Sequence, residues 1–248
     1  MTQRDVEVPT PDRTARASLH VPDGDGPWPA VLMFPDAGGL RPAMQQMADH
    51  LAGLGYVTLV PDVYYRSAPW EPFDIATAFS DEAERGRLMG LMQSVTPDKA
   101  VSDARAYAEF LQALPETTGG PIGTTGYCMG GRLSLIVAGR LGETIGAAAS
   151  FHGGGIASAD DPNSPHRRAD AITAPVYVAG AIEDASFDEE AKQRLEDALK
   201  AAGVTHTVET YPAHHGFAVP DNPTFDESAA ARHWDALAGL FGSALAGK

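Results

Sequence analysis

The chain has 248 residues, 44% hydrophobic and 21% charged, and its 33 acidic against 18 basic residues give a formal net charge of −15 at neutral pH. That charge argues against nucleic acid and anionic membranes as partners, since both need clustered Lys and Arg, and no apolar run reaches the roughly 20 residues of a spanning helix. Met-Thr-Gln-Arg-Asp at the start lacks the apolar stretch of a secretory signal, so a cytoplasmic location is expected, and the single cysteine, Cys128, excludes an internal disulfide or a multi-cysteine metal site.

With no shift of composition along the chain, a single domain over residues 1–248 is expected. Val6 to Val8 and Ala15 to Val21 alternate apolar and polar residues on either side of Pro9-Thr10-Pro11-Asp12, which predicts a short antiparallel pair at a sheet edge. Ala30 to Phe34 is apolar throughout, as a strand covered on both faces is. Met44, Met47, Leu51 and Leu54 then recur at spacings of three and four, predicting a helix from Arg41 to Leu54 closed by Gly55, and Tyr56 to Val60 is the next strand. From Val63 to Lys99 the pattern loosens: aromatics and prolines precede a helix near Glu82 to Met92. This segment reads either as a ligand-contacting excursion over one end of the sheet or as a surface loop packed on its own helix. Asp98 to Leu114 is a helix, and Pro121-Ile122 approach the stretch that holds Cys128, with a helix from Arg132 to Leu141 beyond it. Ile145 to Phe151 is a strand, Ala159 to Arg168 a proline-broken loop, Ala174 to Ala179 a strand and Asp188 to Ala202 a helix. Thr205 to Tyr211 is the last strand and Phe225 to Ala246 the terminal helix. Repeated strand-helix units predict an α/β fold, a mainly parallel twisted sheet with helices on both faces.

Gly126-Tyr127-Cys128-Met129-Gly130 has the form G-x-C-x-G, a nucleophile elbow with sulfur in place of the usual serine oxygen. Glycines two residues either side let strand and helix approach while the backbone bends sharply. A lone cysteine is otherwise a small buried hydrophobe. A nucleophile needs a base and the base an orienting acid, and both follow in order: Glu183-Asp184 after one strand, His214-His215 after the next. Singly these are weak signals, an N-cap acid and two solvated loop histidines; together they sit where an elbow requires them.

Several motifs carry a resemblance to the dienelactone hydrolase family of the α/β-hydrolase superfamily, running from about Ala30 to Phe241. Gly126-Tyr127-Cys128-Met129-Gly130-Gly131 is similar to its G-Y-C-x-G-G elbow, Pro61-Asp62-Val63-Tyr64 with Arg66 and Ala68-Pro69 to its P-D-L-Y-x-R segment, and His215-Gly216-Phe217 to its histidine motif. The resemblance implies Cys128 as nucleophile, His215 as base with His214 a neighbour, and an acid after Gly180. The family spacing lands on Glu183; aspartate is the family's usual residue type, so Asp184 is preferred and Glu183 is the alternative. Backbone N–H groups of Ala37 and Met129 are the implied oxyanion hole. Asp36 stands where the family has a glutamate that holds the resting cysteine. Arg85, Tyr127 and Phe217 are the implied substrate contacts, Arg66 and Arg87 being other arginines of the same region. Where the family carries a second carboxylate-binding arginine, this chain has Phe217-Ala218-Val219.

The expected activity is hydrolysis of a small-molecule ester or lactone through an acyl-thioester, of the dienelactone-to-maleylacetate type. A general carboxylesterase or thioesterase, and a non-catalytic ligand-binding member of the fold, are the alternatives. No cofactor and no metal is expected, because His20, His50, His152, His166, His206 and His233 lack ligand spacing. The oligomeric expectation is a monomer or small homo-oligomer.

Overall fold

In the computed structural model, which describes residues 1–245, the alternation within β3 (Ala30–Phe34) sets up two layers. Leu32 and Phe34 face one core, Val31 and Met33 the other. The first core is closed by α3 (Pro97–Ala113), α4 (Met129–Leu141) and α5 (Glu189–Ala201), through residues such as Tyr107, Ile136 and Leu195. The second is closed by α1 (Pro42–Gly53) and α6 (Glu227–Ala244), through Met44, Met47, Leu51, Leu237 and Phe241. Each such buried Leu, Met or Phe contributes about 1.5–3 kcal/mol.

The eight-stranded sheet has the order β1-β2-β4-β3-β5-β6-β7-β8. Here β1 is Thr2–Pro9, β2 Thr14–Val21, β4 Val57–Pro61, β5 Ile122–Gly126, β6 Ile145–Phe151, β7 Val176–Gly180 and β8 His206–Thr210. The edge pair β1 and β2 is antiparallel, β2 runs antiparallel to β4, and every further pairing is parallel. The edge hairpin is longer than the alternation alone predicts, because Thr2 to Pro9 pairs along its whole length with Thr14 to Val21. All six strands from β3 to β8 point their carboxyl ends the same way, and their following loops meet at one edge.

Two further departures from the expectation have a visible local cause. Pro165–Ala171 forms 3-10 turns inside the segment read as loop, Pro165 occupying the first helical turn where its missing N–H costs nothing. The terminal helix starts at Glu227, not Phe225, because Asp226 caps it by accepting from Ala229 N–H; Ala246 lies outside the described residues.

Between Val63 and Thr96 the chain crosses the carboxyl edge and returns through α2 (Glu82–Ser94). Phe73, Ile75, Ala78 and Leu88 form a small cluster of their own with Ala37. Leu88 is the only buried residue of α2, and Phe79 and Met89 stay exposed. Trp70 ties the segment down: its indole N–H lies 3.1 Å from both Asp62 oxygens, and its ring packs edge-on to Tyr64 at 5.5 Å.

Candidate active site

The turn between β5 and α4 is built by what its glycines lack. A Cβ on Gly126 would stand 2.1 Å from the Gly130 carbonyl oxygen, and one on Gly130 would stand 2.4 Å from the carbonyl oxygens of Phe34 and Pro35. Strand, helix and the neighbouring β3 loop are therefore in backbone contact, and Cys128 between them takes φ 53° and ψ −116°. Tyr127 and Cys128 are stitched in by Cys128 N–H to Phe151 O (3.1 Å) and Gly130 N–H to Tyr127 O (2.8 Å). Among the described residues the non-glycines with positive φ are Cys128, His152 and Glu183. All three lie at the carboxyl edge, and such strain persists only where surrounding structure over-determines it.

Side chains cap α2, α3, α5 and α6 at Asp81, Thr96, Asp188 and Asp226, each accepting from a first-turn N–H. The N-cap of α4 is Cys128, which makes no such bond. Its positive end is left facing the site. Among the described residues, the N–H groups of Met129 and Ala37 donate to no protein group. The Ala37 peptide is held from behind, since Tyr64 donates its hydroxyl to Ala37 O at 2.8 Å.

His215 follows β8, and its Nδ1 lies 2.7 Å from Asp184 Oδ2 after β7. Asp184 is fixed in turn by Ser186, whose N–H and hydroxyl both donate to Oδ1, at 2.9 and 2.6 Å. Burial of the His215 ring works against the imidazolium, but the bond to Asp184 and the facing Cys128 sulfur prevail and push it up to about 10. Burial likewise opposes the Asp184 carboxylate, yet the bonds from His215 and Ser186 pull it down to about 2. Both shifts favour an imidazolium–carboxylate pair. The adjacent residues have another fate: Glu183, 80% exposed, lies 3.8 Å from an exposed His214 in solvent.

Cys128, His215, Asp36 and Ala37 border one cavity of about 320 Å³, with His152, Asn222 and the apolar Ile75, Phe79, Met89 and Met92 from the crossing segment. The excursion thus lines the cavity as well as packing on its own helix. Several expected roles are not met by this geometry. Asp36 does not hold the thiol: Arg41 donates to its two oxygens at 2.5 and 2.9 Å, Gly38 N–H adds a bond at 2.9 Å, and Arg41 also grips Asp221 at 2.7 Å. A carboxylate so saturated anchors the loop that follows β3. Tyr127 is fully buried behind the elbow, with its hydroxyl 3.2 Å from His233 Nε2. Phe217 is fully buried too, stacked on Tyr211 and edge-on to His152. Neither lines the cavity. Arg85 is exposed and outside the cavity wall. Arg66 is bound to Asp12 and Asp103, and Arg87 to Glu84 and the face of Phe73.

His152, Arg41, Asp221 and Ser186 carry site geometry that sequence reasoning missed. His152 had a signal, a histidine directly after a largely apolar strand at the carboxyl edge. Arg41 and Asp221 had none, being 180 residues apart. His152 is 1% exposed, and neither ring nitrogen has a hydrogen-bond partner among the described residues. An unpaired buried group of this kind costs about 1–3 kcal/mol.

Comparison with known proteins agrees with this architecture. A carboxymethylenebutenolidase of Pseudomonas sp. strain P51 is 28% identical over 213 residues, 86% of this chain and 83% of that one. The dienelactone hydrolase-like promiscuous phosphotriesterase P91 from metagenomic libraries superposes with a TM-score of 0.80 at 25% identity, covering 98% of both chains. The dienelactone hydrolase of Anabaena variabilis, at 20% identity and TM-score 0.70 over 98% of both chains, shares the fold. The dienelactone hydrolase family model matches residues 15–245, from the second strand through the end of the terminal helix, and so takes in the elbow, the Asp184 loop and the His215 loop. The chain belongs to the dienelactone hydrolase family, a family of hydrolases.

Proposed function

We propose that this chain is a cysteine-dependent hydrolase of small carboxylic esters or lactones, with Cys128 as nucleophile, His215 as acid and base, and Asp184 orienting His215. The observation that carries the reading is the convergence of three strand ends: His215 is held 2.7 Å from Asp184 and shares the cavity wall with a cysteine at a strained, uncapped helix start.

The reacting form of cysteine is the thiolate, and the His215 imidazolium and the open end of α4 lie beside it as counter-charges. The sulfur attacks the carbonyl carbon, and negative charge gathers on the carbonyl oxygen, toward the free N–H groups of Ala37 and Met129. Collapse breaks the carbon–oxygen ester bond. His215 gives its proton to the departing alkoxide or enolate and leaves an acyl-thioester on Cys128. Neutral His215 then takes a proton from water, the hydroxide attacks the thioester, and the second collapse returns thiolate, imidazolium and free acid. Throughout, Asp184 keeps Nδ1–H toward itself, so Nε2 is the nitrogen that moves protons. In a lactone the leaving oxygen stays attached, and the product is the ring-opened acid. The relatives' name, carboxymethylenebutenolidase, makes a dienelactone one candidate substrate.

A second reading, the same chemistry on simple uncharged esters or thioesters, is favoured by the cavity wall, which includes no Arg or Lys. We also propose that the chain works as a single cytoplasmic domain on small molecules. The test is turnover of chromogenic aryl esters and of a dienelactone by wild type and Cys128→Ala. The variant is expected to lose about a thousandfold or more in kcat, and trapped acyl label is expected on Cys128 alone. Unchanged turnover, or label elsewhere, overturns the nucleophile; no turnover of any ester by the wild type favours ligand binding instead.

A further inference from the structure

Among the polar side chains that border the cavity, His152 is set apart. Asp36 is bound by Arg41 and Gly38, and His215 by Asp184. The Asn222 side-chain oxygen accepts from Thr224. His152 alone is both fully buried and without a hydrogen bond at either ring nitrogen among the described residues. Its position is enforced. Its backbone has φ 40°, its N–H donates to Ala179 O at 2.8 Å, and Phe217 holds the ring edge-on at 4.9 Å. The ring centroid is 5.0 Å from that of His215. Burial first, and then the neighbouring cationic His215, keep the ring well below the ordinary histidine range, hence neutral. A neutral imidazole offers one N–H and one lone pair, and nothing that balances an anion. The wall around it includes no basic residue but His215, and the Asp36 carboxylate stands in the same cavity.

We propose that His152 is the specificity-determining residue of this site, using its unpaired ring nitrogens to hydrogen-bond an uncharged oxygen of the substrate, a carbonyl or hydroxyl beyond the scissile group, and so selecting neutral oxygenated esters over carboxylates. This rests on the hydrolase reading above. It gives a buried, strained and otherwise unpaired group its missing partner, and it accounts for a cavity that is apolar apart from a few convergent polar groups.

The test uses matched nitrophenyl esters of pentanoic acid, 4-oxopentanoic acid and succinic acid, the last a half ester with a free carboxylate. They are compared on wild type, His152→Phe and His152→Gln. In the wild type, kcat/KM is expected to favour the 4-oxopentanoate over the pentanoate by about tenfold, the scale of one hydrogen bond, with the succinate half ester slowest. His152→Phe is expected to erase the ketone preference, read as the ratio of 4-oxopentanoate to pentanoate turnover, and His152→Gln to retain part of it. Because the substrate ratio of each variant is compared with that of the wild type, intrinsic ester reactivity cancels. Equal losses on pentanoate and 4-oxopentanoate in both variants, no ketone preference in the wild type, or fastest turnover of the succinate half ester would each overturn the proposal. A misfolded Phe variant, detected by its melting curve, leaves the Gln variant to decide by the same ratio. Acylation of Cys128 by the pentanoate ester is followed in parallel, so that failure of the nucleophile assignment registers separately.

Discussion

The two sides of the cavity are made by opposite means. On the elbow side, glycines at 126 and 130 bring backbone against backbone, and the Asp184 carboxylate is held by three hydrogen bonds, two from Ser186 and one from His215. On the covering side, α2 buries one residue, and its Met89 and the preceding Phe79, 41% and 51% exposed, line the cavity. Close backbone contact fixes the elbow that carries Cys128, whereas the segment covering the cavity has few buried contacts to lose by moving. Rigidity here is local, placed where orientation matters to the chemistry.

The sharpest way to break that contrast is at the acid pair. Asp184→Asn is expected to lower kcat by about 10³–10⁴-fold through loss of the His215 orientation, while Glu183→Gln, a residue in solvent, stays within about twofold; steady-state kinetics on both variants decide it. The same substitution made in the two regions should have opposite signs. Gly130→Ala drives a methyl into the Phe34 and Pro35 carbonyls and is expected to cost about 3 kcal/mol or more. Gly90→Ala in α2, where a Cβ meets nothing within 4 Å, is expected to stabilise by about 0.5–1 kcal/mol. Urea unfolding measures both, and equal effects would remove the distinction.

The clamped pair also has a pH signature. His215 is raised from 6.5 to about 10, so its stabilising share is complete below about 6.5 and is lost as pH climbs toward 10. Asp184 is lowered from 3.8 to about 2, so its share is present above 3.8 and is lost as pH falls through 2. The stability gap between wild type and Asp184→Asn should therefore be widest between about pH 4 and 6.5 and close steadily by about 10; thermal melts across that range would show a flat gap if the pair were uncoupled. The smallest effect belongs to the cover. Phe79→Ala and Met89→Ala are expected to raise KM for medium-chain esters about three- to tenfold and to change unfolding free energy by less than about 0.5 kcal/mol. A stability loss with KM unmoved would make these residues structural.

Short-range pattern was enough for most of the frame. The apolar run at Ala30 to Phe34, the three- and four-residue spacing from Met44 to Leu54 and the glycine-flanked Cys128 each specify local geometry through periodicity or sterics, and the strands and helices lie close to where those patterns put them. The order of Cys128, the Glu183-Asp184 acids and the paired histidines was legible because strands of this sheet deliver their loops to one edge. Which acid and which histidine meet was not, since Asp184 and Glu183 differ by one position and only the Glu183 backbone at φ 53°, with Ser186 behind, turns Asp184 inward.

By itself, then, the sequence determined the family, the sheet-and-helix frame and the elbow, because those depend on residues close together in the chain. Only the tertiary structure decided the surroundings of the sulfur. It turned Asp36 to Arg41, took Tyr127 and Phe217 into the core, left Arg85 outside the cavity and set an unpaired His152 beside His215. Those outcomes come from packing between segments far apart in the chain, where burial and hydrogen-bond satisfaction select among partners that no local pattern ranks.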